Sequence, residues 1–238
     1  MIPQELLAKY SLPEDVAARA IERAVTRELR DALGKPVWVS LNSPLAITVL
    51  PHPWEDKEPV DLNPASLSEQ LQRQIEYQIG KELEKAQTLR EARELEHLQG
   101  LAVEGEIRRV NPDGSWSVVL EFDEFQKHTV VGAICPQRHI PPHERHKVLP
   151  GDTKSFFVSS VRPVCQGTRY RVHIKLSRTS IQLPALLIHQ YTGKTVRCTR
   201  RIHGQISRIE SSNRIPESVV KRVGDELNEA IHIHVSKP

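Results

Sequence analysis

Residues 105–122 have the sequence GEIRRVNPDGSWSVVLEF, in which two alternating runs flank the turn Asn111-Pro112-Asp113-Gly114. An Asp-Gly pair between such runs is among the stronger short-range signals for a β-hairpin. Three more β-rich runs follow, at residues 128–134, 155–161 and 169–176. Five short strands in about seventy residues, with no room for a long helix, are typical of a small closed barrel of the OB type.

The first hundred residues predict a separate α/β domain. Apolar residues recur at helical spacing over residues 13–33, and Gly34 follows them, so we expect an amphipathic helix there. A strand pair is predicted over 37–41 and 46–50, followed by a proline-rich loop at 51–64. Residues 65–99 predict the longest helix, either a connector that fixes domain spacing or a plain packing helix kinked near Gly80.

The region after the barrel predicts the order helix, strand, strand, helix, strand. The predicted elements are 180–190, 195–201, 205–211, 216–230 and 231–235. The whole chain is therefore predicted to be a multidomain α+β protein. Its domains are predicted at 1–100, 101–177 and 178–238.

Composition bounds the class of protein. The chain has 238 residues, 38% hydrophobic and 26% charged, and no apolar run of about eighteen residues, so we expect no membrane span. Its N-terminus lacks the basic-then-apolar pattern of a signal peptide. Three widely spaced cysteines fit a reduced, cytoplasmic chain better than a disulfide framework.

Charge is unevenly spread along the chain. Residues 1–100 carry 12 Lys and Arg against 17 Asp and Glu, a net −5, whereas residues 101–238 carry 21 against 13, a net +8. An acidic front and a basic rear predict a front that meets protein and a rear that meets phosphate. The alternative is ordinary compositional drift between domains.

The barrel offers candidate residues for binding single-stranded nucleic acid. Such barrels stack bases on aromatic rings and track phosphates with Lys and Arg. The candidates for stacking are Trp116, Phe122, Phe125 and Phe156 or Phe157, and those for charge are Arg108, Arg109 and Lys154. The alternative is that Trp116 lies in the core and that the adjacent Phe156 and Phe157 divide between core and surface.

The tail predicts a second electropositive surface. Its basic residues include Arg197, Arg200, Arg201 and Arg208, and also Arg214, Lys221 and Arg222. His232 and His234 alternate on one strand and so share a face. These basic residues either contact nucleic acid or form a solvated basic face.

No catalytic motif is recognisable. The sequence has no P-loop, no Gly-x-Gly-x-x-Gly, no nucleophile elbow and no His-Glu-x-x-His, so we expect a protein that is not an enzyme and needs no cofactor. The spacing Cys135-x3-His139-x3-His143-x2-His146 approaches that of a metal site, but three prolines interrupt it. A polar, basic loop is the expectation there, with no metal.

The barrel region contains several distinctive short motifs, which are Val103-Glu104-Gly105-Glu106-Ile107, the turn Pro150-Gly151-Asp152, Ser160-Val161-Arg162-Pro163, Gly167 and Ser177-Arg178. Together they resemble the S1 domain of NusA-type bacterial transcription factors. In front, Leu12-Pro13, an amphipathic helix, a strand pair and a long helix resemble the family's polymerase-binding N-terminal domain. Behind, Leu186-Leu187, the run from Val220 to Leu227 and Ile231-His232-Ile233 resemble the ends of its first KH domain.

The resemblance implies a non-catalytic factor that modulates elongation, pausing, termination or antitermination. In the family, the N-terminal domain docks on the flap of the RNA polymerase β subunit, near the RNA exit channel, and the S1 and KH domains receive nascent RNA. The family's long helix offers basic side chains to that RNA. Arg73 and Lys81 fall at the corresponding positions here, or are plain surface charges among acids.

The sequence also departs from the family. It has no Gly-x-x-Gly loop, the first of the paired KH helices is missing between Ser211 and Val219, and no second KH domain precedes Pro238. We therefore keep two alternatives open. One is a ribosome- or RNA-processing-associated S1/KH module, and the other is a protein adaptor that has lost RNA binding.

Overall fold

The computed structural model describes residues 9–41, 46–52, 54–124 and 127–235, with the side chains of 122–124 and 127–129 left out. Its contacts divide the chain into two compact units. The N-terminal unit is the chain up to Arg93 together with Pro163–Val172, and the barrel–tail unit is Glu94–Arg162 together with the chain from His173 onward. The predicted barrel and tail therefore share one unit for most of their length.

The N-terminal unit packs two helices against one face of a small antiparallel sheet. Its elements are α1 (Glu14–Leu33), β1 (Val37–Ser40), β2 (Ala46–Val49), β3 (Val60–Asp61) and α2 (Glu69–Glu94). The predicted apolar face of α1 is buried, and Gly34 ends the helix in the left-handed conformation, with its N–H donating to the carbonyl of Arg30. The sheet order is β1-β2-β3, with Val37 opposite Val49.

Two predictions for this unit needed correction. The short strand β3 lies inside the segment predicted as a loop, because its two residues carry no alternating pattern of their own. The long helix is also shorter than the predicted 65–99. Single 3₁₀ turns at Pro64–Ser66 and Glu96–Leu98 flank α2, and α2 continues through Gly80.

The predicted five-stranded closed barrel is confirmed. Its strands are β4 (Ala102–Val110), β5 (Trp116–Glu124), β6 (Lys127–Cys135), β7 (Thr153–Gln166) and β8 (Arg169–Ser177), in the order β4-β5-β6-β8-β7. The pairing of β6 with β8 is parallel. Gly105 is required in β4, because a Cβ there would lie 2.5 Å from Val118 Cγ1 and 2.7 Å from Leu120 Cδ2 in the barrel core.

The tail has the predicted order of elements. These are α3 (Leu183–Thr192), β9 (Arg197–Ile202), β10 (Ile206–Ser211), α4 (Glu217–Leu227) and β11 (Ala230–Val235). The sheet order is β11-β10-β9, with β10 parallel to β11 and antiparallel to β9. Apolar residues of both helices and of one sheet face form the core, including Leu187, Ile209 and Val223. The opposite face of this sheet is open.

Among the described residues, no helix combines the length and the apolar character that a membrane-spanning segment requires.

Candidate nucleic-acid interface

A buried arginine joins the barrel to the tail. Arg178 follows β8 directly, and its side chain is 1% exposed. Its guanidinium donates to both carboxylate oxygens of Glu144, to the carbonyl of Ser155, and to the carboxylate and carbonyl of Glu226. Glu144 lies in the loop between β6 and β7, and Glu226 lies on α4. Only the planar fork of arginine satisfies so many acceptors at once, so the two parts are held at one hydrogen-bonded point.

A second buried ion pair fixes the turn between β9 and β10. Arg201, whose side chain is 2% exposed, donates to both carboxylate oxygens of Glu229 and to the carbonyl of Ser180. Glu229 also accepts from the Ser207 hydroxyl and the Gly204 N–H. Burial opposes ionisation of Glu229, but the hydrogen bonds and charge of Arg201 outweigh it, and the pKa of Glu229 is lowered.

Arg201 is therefore not available to RNA, and its prediction as an RNA-binding residue was wrong. Consecutive arginines at 200 and 201 point to opposite faces of a strand, so only one of the pair could be exposed. The sequence could not show which one, because the acid that pairs with Arg201 lies 28 residues away.

The open face of the tail sheet carries the other predicted arginines in register. Along β10, Ser207, Ile209 and Ser211 are buried, whereas Arg208 and Glu210 are exposed. Strand pairing arranges the exposed face in three rows. The apolar row is Ile202, Ile206 and Ala230; the cationic row is Arg200, Arg208 and His232; the mixed row is Arg197, Glu210 and His234.

The barrel exposes two adjacent arginines at the end of β4. A β-bulge between Ile107 and Arg109 interrupts the alternation, so Arg108 and Arg109 are both exposed. Arg108 lies 3.4 Å from Glu106, and its side chain is 57% exposed. Lys154 is half-buried opposite Gly105. The two arginines remain candidates for phosphate contact.

Two of the predicted stacking rings are buried, which corrects the expectation that they face nucleic acid. Trp116 and Phe156 are both 0% exposed, and their rings meet edge to face at 6.4 Å. They alternate inward on their strands, so the core alternative was right for both. Phe157 is half-buried against the tail core. The side chain of Phe122 and the whole of Phe125 lie outside the described residues.

The basic residues predicted on the long helix lie on α2. Arg73 is exposed and lies 3.5 Å from Glu69, one turn away. Lys81 places its Nζ 4.6 Å from the ring centroid of Tyr77, which is 56% exposed. Steps of four keep Arg73, Tyr77 and Lys81 on one side of the helix, so this side carries a ring between two cations.

The cysteine and histidines between residues 135 and 146, whose spacing approaches that of a metal site, make other contacts in the structure. Cys135 lies in the barrel core, and burial raises the pKa of its thiol to about 12. The ring of His143 packs on Gly204, where a Cβ would overlap its Nδ1. The described part of the chain contains no group of three His, Cys, Asp or Glu side chains placed to hold a metal ion.

Sequence reasoning missed the exposed tryptophans of the N-terminal unit. Trp38 is 57% exposed on the open face of the sheet, between Val37 and Val39, which are buried. Trp54 is 79% exposed and stacks on His52 with centroids 4.6 Å apart. The alternation Val-Trp-Val was the signal that could have identified Trp38, because neighbouring strand residues must face opposite ways.

No protein-family model matches the sequence, and a search of curated proteins also gave no match.

Proposed function

We propose that the protein is a non-catalytic transcription factor of the NusA type, which binds RNA polymerase and nascent RNA and modulates elongation, pausing, termination or antitermination. One observation carries the proposal. A closed five-stranded barrel is followed by an α/β tail, and both parts carry exposed arginine side chains. The barrel resembles an S1 domain and the tail a reduced KH domain, in the order in which the family has them.

RNA binding by this unit is electrostatic. The barrel arginines 108 and 109 and the tail arginines 197, 200 and 208 are exposed and suited to phosphate oxygens. The rings of Trp116 and Phe156 are buried, so neither ring is available for base stacking. Affinity therefore depends strongly on salt and weakly on sequence.

Polymerase binding belongs to the N-terminal unit. Trp38 lies on an open sheet face in register with Thr48 and Asp61. A large exposed ring surrounded by polar groups is a common anchor in protein interfaces. The net charge of −5 over residues 1–100 is compatible with a protein partner.

RNA binding is tested by fluorescence anisotropy with a labelled, unstructured RNA over a range of salt. The double variant Arg108→Gln/Arg109→Gln should bind more weakly, and the slope of log K against log salt should fall by about 0.7 for each phosphate that the variant no longer neutralises. Arg19→Gln/Arg23→Gln, two exposed arginines of α1, is the matched control and should change neither quantity. Unchanged affinity and slope in the barrel variant would remove the barrel from the RNA site.

Polymerase binding is tested by co-purification with purified bacterial core RNA polymerase. The full chain and residues 1–100 should both bind, and Trp38→Ala should weaken both. Leu149→Ala, at a leucine of the barrel–tail unit that is 68% exposed, is the control for a general loss of apolar surface. If neither the full chain nor the fragment binds, the ribosome- or RNA-processing-associated module becomes the better hypothesis.

The burial of Trp116 and Phe156 favours one alternative, an adaptor whose barrel and tail bind protein and not RNA. Under that alternative, anisotropy would show no RNA binding, or weak binding without salt dependence.

A further inference from the structure

We propose that the open face of the tail sheet is a separate site for the phosphate backbone of single-stranded RNA, centred on the cationic row and strengthened when His232 is protonated. The proposal rests on RNA binding as proposed above. It assigns the contact to a sheet face and not to the segment between β10 and α4, where the sequence has no Gly-x-x-Gly loop.

The cationic row is unfavourable for the stability of the sheet. Arg200 lies directly opposite Arg208, and Arg208 lies directly opposite His232. Like charges directly opposite each other on neighbouring strands destabilise a sheet. No ion pair between described residues includes Arg200 or Arg208. An arrangement that costs stability without a local gain is typical of a functional surface, where a ligand supplies the opposite charge.

Arg200 and Arg208 differ from two buried arginines of the same unit. Arg178 and Arg201 are each neutralised by buried glutamates, with side chains 1% and 2% exposed. The three rows of the open face contain nine residues, and one of them, Glu210 of the mixed row, is acidic. Acids therefore neutralise the buried Arg178 and Arg201, whereas no described ion pair neutralises the two arginines of the cationic row.

The dimensions of the face suit an extended ligand. Neighbouring strands lie about 4.8 Å apart, and rows recur about every 6.7 Å along a strand. The cationic row thus extends about 10 Å across three strands, which fits an extended chain of phosphates better than one phosphate group. The apolar row beside it offers Ile202 and Ile206 to sugars or base faces.

The histidines of this face lie on β11, the edge strand, which carries His232 and His234. The charged groups facing His232 are Arg208 opposite it and Glu210 diagonally on β10, with His234 two residues along its own strand. Histidine gains its charge between about pH 8 and pH 5. A charged His232 extends the cationic row to the sheet edge and adds one phosphate contact.

The test uses the full chain and labelled oligouridine of about ten nucleotides, with anisotropy at about pH 8 and about pH 5.5 at constant ionic strength. Wild type should bind more tightly at the lower pH. Arg200→Gln/Arg208→Gln should weaken binding about tenfold and lower the salt slope by about 1.4. Glu210→Gln, which removes the acid of the mixed row, should strengthen binding.

His232→Asn should keep the affinity at high pH and reduce the gain at low pH. His146→Asn, at an exposed histidine of the barrel loop, is its control and should retain that gain. Circular dichroism checks that each variant is folded.

The outcomes separate this inference from the proposed function. If wild type does not bind oligouridine at any salt, RNA binding is refuted and the sheet-face site with it. If wild type binds but Arg200→Gln/Arg208→Gln has the wild-type affinity and slope, the sheet face is refuted while RNA binding stands. If His232→Asn keeps the full gain at low pH, the role of His232 is refuted.

Discussion

Replacing Arg178 by methionine should destabilise the barrel–tail unit severely. The side chain is 1% exposed and makes five hydrogen bonds, two of them to Glu144, whose own side chain is 9% exposed. Methionine fills much of the volume but leaves the Glu144 carboxylate buried without its cation. Breaking a buried pair in this way costs about 3–5 kcal/mol, because the remaining charge has no compensating partner.

Urea unfolding followed by Trp116 fluorescence measures this destabilisation. Trp116 is the tryptophan of the barrel and is fully buried, so its emission should shift to longer wavelength on unfolding. Trp38→Phe and Trp54→Phe, both at exposed positions, remove the other two tryptophans from the signal. With a slope of about 2 kcal/mol per molar urea, a destabilisation of about 4 kcal/mol lowers the midpoint by about 2 M.

Two further variants test the physical reason. Arg108→Met removes an exposed ion pair with Glu106 and should lower the free energy of unfolding by less than about 1 kcal/mol. The double variant Arg178→Met/Glu144→Leu should recover most of the stability, since apolar replacement of both partners removes the uncompensated charge. A destabilisation below about 1 kcal/mol for Arg178→Met, or no recovery in the double variant, would refute the view that this network holds barrel and tail together.

Three other changes follow from local geometry and charge, each measured by urea unfolding. Gly105→Ala should destabilise the barrel by about 1–3 kcal/mol, because its Cβ would overlap Val118 and Leu120. Gly80→Ala should instead stabilise the N-terminal unit by about 0.5–1 kcal/mol, because its Cβ would meet nothing within 4 Å and alanine favours a helix. A stabilised Gly105→Ala or a destabilised Gly80→Ala would contradict this reasoning. Glu229 has a lowered pKa in the folded protein, so its ionised form contributes stability above the ordinary value of 4.5, and this contribution disappears as pH falls through the lowered value. Glu229→Gln should therefore be much less stable than wild type at pH 7, with a difference that narrows in acid, and a difference independent of pH down to about 3 would count against the ion pair.

The strands and helices could be predicted because their signals are local. Alternation around Asn111-Pro112-Asp113-Gly114 predicted the first hairpin, and the spacing of Ala20, Ala24 and their neighbours predicted α1. The order of the tail elements followed in the same way. Failures occurred where no local pattern existed, as at the two-residue strand β3, or where flanking turns had helical composition, as around α2.

The candidate site could be predicted only in part. Residue type identified Arg108, Arg109, Arg200 and Arg208 as possible phosphate ligands, and their exposure fits that prediction. The same reasoning selected Trp116, Phe156 and Arg201, which are buried. Composition alone cannot separate these groups, because an arginine that pairs with a distant glutamate and one that faces solvent have the same local sequence.

Local sequence patterns specify which residues alternate, which turns close a hairpin and in what order the elements follow. Long-range packing specifies which face of each strand is covered and which strands become neighbours. The parallel pairing of β10 with β11 places His232 beside Arg208, and the antiparallel pairing of β10 with β9 places Arg200 on its other side. Backbone hydrogen bonds between strands distant in sequence set that register, and no period within a single strand encodes it.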